Sequence, residues 1–334
     1  MKNILIIGSG LTGATLAHLH KNDRVTVIEK RNHLGGNIYT EDIDGICVHK
    51  YGAHIFHTND KKIWDFVNQF VHFNNYKHEV KSRYADKLYS LPINMNTFNE
   101  FFGIKNAEEV KQEHIDYIKK ILYHGYSTKQ WNKSIEEIDS KVFDRLPIRT
   151  TFDNNYFNDI YQGIPIEGYT SLIESLLQGC KRILNTEVTE NFDFTPYDLV
   201  YNTGPIDKFL NYELGSLEYR SLYFDIKHFK NMTFQDYAVI NEASRLVPYT
   251  RIIEHKHFNN KGQKNTIVTF EYPKDSGEPY YTVNTEINNR LYNNYKQLAK
   301  VKYPNMIFCG RLGAYQYYDM DEAIKEAFNI YEQI

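Results

Sequence analysis

An α/β fold with a Rossmann-like core, a helical insert and an antiparallel β-sheet insert is predicted by three observations. Residues 4–13 read ILIIGSGLTG, and the apolar run RVTVIE then closes on Glu29. Residues 97–138 read mostly as helix, with acids early and apolar positions at Ile115, Ile118, Ile121 and Leu122. Residues 219–283 are alternating, aromatic and β-branched, with LYFDI, YAVIN and TIVTFEY as strands of an antiparallel sheet.

The first element is the apolar run Ile4–Ile7, which enters the turn Gly8-x-Gly10-x-x-Gly13. A helical segment follows, then a second apolar run ending in an acid. That is the dinucleotide-binding βαβ fingerprint in its full context. Gly8 allows the tight turn, Gly10 lets the backbone approach a pyrophosphate, and Gly13 allows close helix–strand packing. Ser9, Leu11 and Thr12 complete the loop, whose free N–H groups and helix dipole favour negative charge. Glu29 is placed to accept hydrogen bonds from a ribose, with Lys30 and Arg31 directly after it. Leu34-Gly35-Gly36-Asn37 adds a second glycine pair just past the acid. That pattern is typical of FAD-binding flavoproteins with two dinucleotide-binding domains, and it favours FAD over NAD. Its plain alternative is a glycine turn into the next strand.

Further along, Pro147 and the Asp-Asn-Asn run after it break the helical stretch, and Gly168–Leu177 reads as helix again. YDLVYNTGP (197–205) reads as a strand ending in a glycine turn at Gly204. MIFCG (306–310) is one more buried strand, and Asp319 is a plausible N-cap for a last helix beginning at Met320. The predicted organisation is a discontinuous FAD-binding domain (1–72, 168–210, 296–334), a helical insert with a mobile loop (96–145), and an antiparallel substrate domain (73–95, 146–167, 211–295).

At 334 residues and net charge −3, the chain supports a substantial core and carries no basic field suited to nucleic acid or an anionic membrane. The apolar start is a short strand broken by Gly-Ser-Gly, neither a signal peptide nor a span, so no membrane insertion is expected. Three scattered cysteines (Cys47, Cys180, Cys309) point to a reducing, cytoplasmic setting and to no metal motif. Twenty-eight tyrosines suit sugar and diphosphate pockets, although base composition gives the same bias.

The chain resembles the UDP-galactopyranose mutase family. Besides the fingerprint, the resemblance rests on YGAHIFHT (51–58), YSLPIN (89–94), GYSTKQW (125–131), RLPIR (145–149), DNNYF (153–157), YQGIPIEGYT (161–170), NTGP (202–205), VPYTRIIEHK (247–256), PYY (279–281) and GRLGAYQYYDMDEAI (310–324), in family order over nearly the whole chain. The resemblance implies an intramolecular transferase or isomerase that interconverts UDP-galactopyranose and UDP-galactofuranose with no net redox change, supplying furanose donors for cell-surface glycans. It implies reduced FAD, whose N5 attacks the anomeric carbon to give a flavin–sugar adduct, with NAD(P)H or another reductant as electron source. The cofactor being the nucleophile, no Ser, Cys or Lys nucleophile is required.

By the same resemblance Arg145, Arg251, Tyr156, Tyr281 and Tyr317 bind the diphosphate, a task that suits guanidinium forks. His57 sits near the flavin and His54 near the sugar, with Ile55 between them. Their spacing could suggest a metal pair, but no third ligand is evident, so metal is rejected. Arg311, after Gly310, contacts the flavin, and the helix starting at Asp319-Met320 aims its N–H groups at the flavin N1/C2=O edge. Tyr126 stacks on the base, Trp131 borders the mobile loop, and Asn241 contacts the base. Read individually, these residues are also consistent with exposed charges and core aromatics.

The sequence departs from the family pattern at Leu122, where an aromatic usually sandwiches the base with Tyr126. It departs also at His78, in place of a common asparagine, and at Ala53, in place of a proline. The insert is shorter than usual, which puts the expected homodimer contacts in doubt. These changes leave a dTDP- or GDP-linked sugar open as substrate. An amine-oxidase-like FAD oxidoreductase and a non-catalytic nucleotide-sugar binder remain the alternatives of other classes.

Overall fold

The computed structural model describes residues 1–138, 147–259 and 261–334. Its strands are β1 (Asn3–Ile7), β2 (Arg24–Ile28), β3 (Thr40–Ile43), β4 (Ile46–His49), β5 (Phe56–Thr58), β6 (Val80–Tyr84), β7 (Lys87–Leu91), β8 (Tyr161–Gly163), β9 (Lys181–Ile183), β10 (Leu199–Asn202), β11 (Tyr219–Phe229), β12 (Val239–Glu242), β13 (Arg251–Glu254), β14 (Thr266–Lys274), β15 (Pro279–Thr282) and β16 (Met306–Phe308). The α-helices are α1 (Leu11–Leu19), α2 (Lys61–Val67), α3 (Met95–Phe102), α4 (Gln112–Ile118), α5 (Gly125–Trp131), α6 (Tyr169–Leu176), α7 (Ile206–Phe209), α8 (Glu286–Lys302), α9 (Gly310–Gly313) and α10 (Met320–Glu332).

A five-stranded parallel sheet runs β16-β10-β1-β2-β9. Strand alternation explains why it needs helices on both faces. Ile4 and Ile6 of β1 pack with Leu16, Ala17 and Ile324, while Leu5 points the other way and packs with Val200, Tyr292 and Tyr295. Each such fully buried side chain contributes about 1.5–3 kcal/mol.

A seven-stranded sheet runs β15-β11-β14-β13-β12-β6-β7. All its pairings are antiparallel apart from β12 with β6. LYFDI, YAVIN and TIVTFEY fall on β11, β12 and β14, where the alternation placed them.

The helical stretch is less continuous than its sequence suggests. α3 starts on a capping box between Asn94 and Thr97, and Gly103 at φ 73° ends it. α4, a π-helical segment (Lys119–His124) and α5 then form one rod. The largest omission from the sequence reading is α8, whose first half lies in the stretch assigned to the antiparallel part. Its buried Tyr292, Tyr295 and Ala299 cover the parallel sheet. Among the described residues no helix is long and apolar enough to cross a membrane.

Candidate active site

A cleft of about 840 Å³ lies past the C-terminal ends of β1, β2 and β10, where open α/β sheets bind ligands. Local sterics make its floor. A Cβ on Gly13 would lie 2.2 Å from the Gly8 carbonyl oxygen, so only glycine lets α1 pack on the turn. A Cβ on Gly10 would meet nothing within 4 Å, which leaves that backbone bare to the cleft. Gly36 comes back over it, close enough that its own Cβ would stand 3.0 Å from Gly10 Cα.

Most of the predicted cofactor residues line this cleft: Gly8, Gly10, Leu11, Thr12, Gly13, Glu29, Lys30, Arg31, Gly36, Asn37, His54, Gly204, Gly310, Arg311, Asp319 and Met320. Ser9 and Ile55 do not. Ile55 is buried in the core. Ser9 acts on Glu29 instead, donating its N–H (2.9 Å) and its Oγ (2.8 Å) to Oε2. The Arg31 N–H donates to Glu29 Oε1 at 3.0 Å. A carboxylate has about four acceptor sites, so a buried Glu29 held in this way still has one to offer a ribose. Arg31 lies over the Tyr51 ring and donates Nη2 to Asn37 Oδ1, while its Nη1 is buried without a partner among the described residues. An orphaned cationic donor beside a bare glycine backbone fits the anionic, ribose-bearing body of a dinucleotide.

Sequence reasoning missed the other walls. Thr186–Asn191 line the cleft past β9, and the turn Asp275–Glu278 between β14 and β15 closes it. That turn is tied down at both ends. Lys30 pairs with Glu278, while Asn132 and Arg220 hold Asp275.

The second group of predicted residues gathers on the seven-stranded sheet. Strand register puts Asn241 opposite Arg251, and Arg251 opposite Glu271. Arg251 donates Nε (3.1 Å) and Nη2 (2.9 Å) to Glu271 Oε1. Glu271 is 0% exposed, and the Arg251 side chain keeps 22% of its surface. Burial opposes the charge on Arg251, but Glu271, with Tyr126 and Tyr281 nearby, holds its pKa well above the usual value. Tyr281 and Tyr317 stack with centroids 5.5 Å apart, and the Arg311 guanidinium lies over both rings. Trp131 approaches Tyr281 at 6.4 Å.

His54 joins the two groups. It lines the cleft, and burial, then Arg311 and Arg251, lower its pKa to about 4. Its Nδ1 is 2.8 Å from the Gly52 carbonyl. His57 is set further back, with Nδ1 2.6 Å from Asp159 Oδ2 and its ring stacked on Phe157. His78 packs edge-on to Tyr156, and burial, then Arg251 and His57, lower its pKa to about 3. Asp319 caps α10 in a box with Glu322, whose Oε2 accepts from its N–H at 2.8 Å. Arg145 lies outside the described residues.

Leu122 is 1% exposed and belongs to the hydrophobic core, with Ile118 one turn before it. It falls in the π-helical segment. Tyr126, one turn on, is only half-buried. Lys129, another residue the sequence reading passed over, fixes α5 to the β12–β13 connection. Its Nζ donates to the carbonyls of Glu242 and Ser244, both at 2.8 Å. Burial lowers its pKa to about 8. Among the described residues no group of three or more His, Cys, Asp or Glu is arranged to hold a metal ion.

The site thus combines a dinucleotide cleft, cationic forks next to stacked tyrosines, and a neutral histidine between them. A family model described as UDP-galactopyranose mutase matches residues 121–317, and one described as an NAD(P)-binding Rossmann-like domain matches residues 6–70. An Escherichia coli protein named dTDP-fucopyranose mutase is 36% identical, covering 98% of this chain and 97% of its own. A Klebsiella pneumoniae protein named probable UDP-galactopyranose mutase is 35% identical over 98% of this chain and 93% of its own. A crystal structure of reduced UDP-galactopyranose mutase superposes with a TM-score of 0.77, covering 100% of this chain and 95% of that one. At 13% identity that likeness shows the fold alone. Cleft and relatives together imply a flavin cofactor and a nucleotide-sugar substrate. The chain belongs to the UDP-galactopyranose mutase family, isomerases of the mutase type.

Proposed function

We propose that the protein interconverts UDP-galactopyranose and UDP-galactofuranose, with reduced FAD in the cleft and no net redox change. Its product would be a furanose donor for surface glycans. The observation that carries this reading is the Arg251–Glu271 pair beside His54. Two of the five guanidinium N–H donors go to Glu271, and three remain for phosphate oxygens. Anchoring by a fully buried carboxylate fixes the direction of that fork before substrate arrives. Reduced FAD, when bound, supplies the nucleophile at the anomeric carbon.

The chain's own residues do the rest. Arg251, with Tyr281 and Tyr317 beside it, stabilises the diphosphate as it departs with the bonding electrons. A well-placed donor of this type contributes about 3–4 kcal/mol. Arg145 is proposed as the second fork. His54, neutral at pH 7, accepts a hydrogen bond from a sugar hydroxyl and adds no third positive charge between Arg311 and Arg251. Asp319 and Met320 present the N-terminus of α10 to the flavin edge, where its dipole favours the anionic reduced ring. The electron source is NAD(P)H or another reductant.

A second reading keeps this chemistry on a dTDP- or GDP-linked sugar. It is favoured by the burial of Leu122, which denies the base a second stacking face at that position. The name of the Escherichia coli relative points the same way for dTDP. The test is an anaerobic incubation of purified protein with excess dithionite and each of the UDP-, dTDP- and GDP-linked sugars, followed by chromatography. Ring interconversion of a UDP sugar alone supports the first reading. Preference for a dTDP or GDP sugar supports the second, and no interconversion of any of them removes both.

A further inference from the structure

Behind His54 lies a chain of buried hydrogen bonds that the proposed function leaves unexplained. The His54 backbone N–H donates to His49 Nδ1 at 3.1 Å. The His49 backbone N–H donates to His255 Nδ1 at 3.3 Å, and His255 Nε2 meets Thr269 Oγ1 at 2.7 Å. His49 and His255 are each 1% exposed. The His49 ring stacks on Phe258 at 4.7 Å and meets the edge of Tyr169 at 5.6 Å, so its position is fixed by packing as well.

These contacts settle the proton positions. A carbonyl only accepts, so His54 Nδ1 must carry the proton that meets the Gly52 oxygen, and in a neutral ring Nε2 is then bare. A backbone N–H only donates, so the Nδ1 atoms of His49 and His255 are bare and their protons sit on Nε2, where that of His255 faces Thr269 Oγ1 and that of His49 is buried with no partner among the described residues. Burial, with the neighbouring positive charges and histidines, keeps all three rings neutral. The turn between β4 and His54 is constrained from the other side too. Gly52 has φ 99°, and a Cβ there would stand 3.3 Å from Glu271 Oε2, the carboxylate that anchors Arg251.

We propose that His49 and His255 are positioning residues that hold the Gly52–His54 turn so that His54 presents a bare Nε2, a pure acceptor, at the cleft. A protonated His49 would have a donor where the His54 N–H needs an acceptor. The turn would then open, and with it the Gly52 carbonyl that fixes the His54 tautomer. The partner of Nε2 is a hydroxyl or N–H donor of whatever ligand reaches His54. The kinetic consequence rests on the proposed function, whereas the tautomer does not.

The experiment is long-range 15N–1H NMR on the flavin-bound protein with labelled histidine, with His54 assigned by its loss in His54→Gln. Wild type should show His54 as the Nδ1–H tautomer and His49 and His255 as Nε2–H. His49→Asn, whose Oδ1 can replace Nδ1 as acceptor, should keep the His54 tautomer and near-wild-type turnover. His49→Phe should release His54 into mixed tautomers and lower turnover roughly tenfold to a hundredfold, the scale of a misplaced reacting geometry. An Nε2–H tautomer for His54 in the wild type overturns the proposal without any variant having to fold. Retention of the Nδ1–H tautomer in a folded, flavin-bound His49→Phe overturns it as well. If no sugar is turned over even by wild type, the NMR result still decides.

Discussion

Removing Arg251 should reveal two separate losses, one of stability and one of function. Arg251→Ala deletes two of the donors to Glu271 Oε1, leaving the Thr250 hydroxyl at 3.4 Å, and strands a carboxylate without a cation at 0% exposure. Breaking a buried pair from one side costs about 3–5 kcal/mol, because the stranded charge has no solvation. Glu271→Gln on top of it removes that charge and leaves only a polar amide to satisfy, at about 1–3 kcal/mol. The double variant should therefore be more stable than Arg251→Ala by about 2 kcal/mol, more than tenfold in the folding equilibrium. Its turnover should stay as low as that of the single variant, since the fork is absent from both. Urea denaturation of the three proteins, with turnover measured on the same samples, separates the effects. An Arg251→Ala protein as stable as wild type would refute the electrostatic reasoning. Full turnover in either variant would refute the role of the fork.

Four further outcomes follow from the geometry. Gly10→Ala should leave the apoprotein's stability within about 1 kcal/mol of wild type, because its methyl meets no protein atom, yet lower flavin retention. Gly13→Ala should lose stability outright, since its methyl meets the Gly8 carbonyl; flavin content and denaturation midpoints of both variants check the contrast. His78 has a folded pKa of about 3, below its usual value, so the unfolded chain binds the proton more tightly. The stability it contributes is present above pH 6.5 and falls as pH drops from there towards 3. His78→Asn should therefore cut the stability lost between pH 7 and pH 5 by about 2 kcal/mol, and an unchanged slope in urea denaturation would count against a buried neutral His78. Leu122→Phe should cost about 1–3 kcal/mol by overpacking and leave UDP affinity unchanged, as calorimetry would show.

The features of the fold and site that were legible in the sequence are those set by short-range sterics and local pattern. Gly13 must be glycine for a reason confined to a few residues, its contact with the Gly8 carbonyl, and the spacing Gly8-x-Gly10-x-x-Gly13 between two apolar runs is local too, so the parallel sheet and its cleft could be read directly. The strand runs of the second sheet were legible because alternation is local. Its register was not, and register is what sets Glu271 behind Arg251. The burial of Leu122 was legible, because it continues the apolar spacing of Ile118 one turn earlier. α8 escaped notice because its buried stripe is built from Tyr292, Tyr295 and Ala299 among asparagines and lysines rather than from aliphatic residues. Thr285, whose side chain accepts from the Asn288 N–H, was the available sign of its start. The His49–His255 chain was invisible because it joins β4 to residues some two hundred positions away.

In the proposed function a flavin acts without net redox change. The measurement that tests it most directly is the number of sugar rings interconverted per pair of reducing equivalents consumed, counted anaerobically after a single reduction of the flavin. Many turnovers are expected for one reduction, and none before it. One pair of reducing or oxidising equivalents consumed per product formed would contradict it.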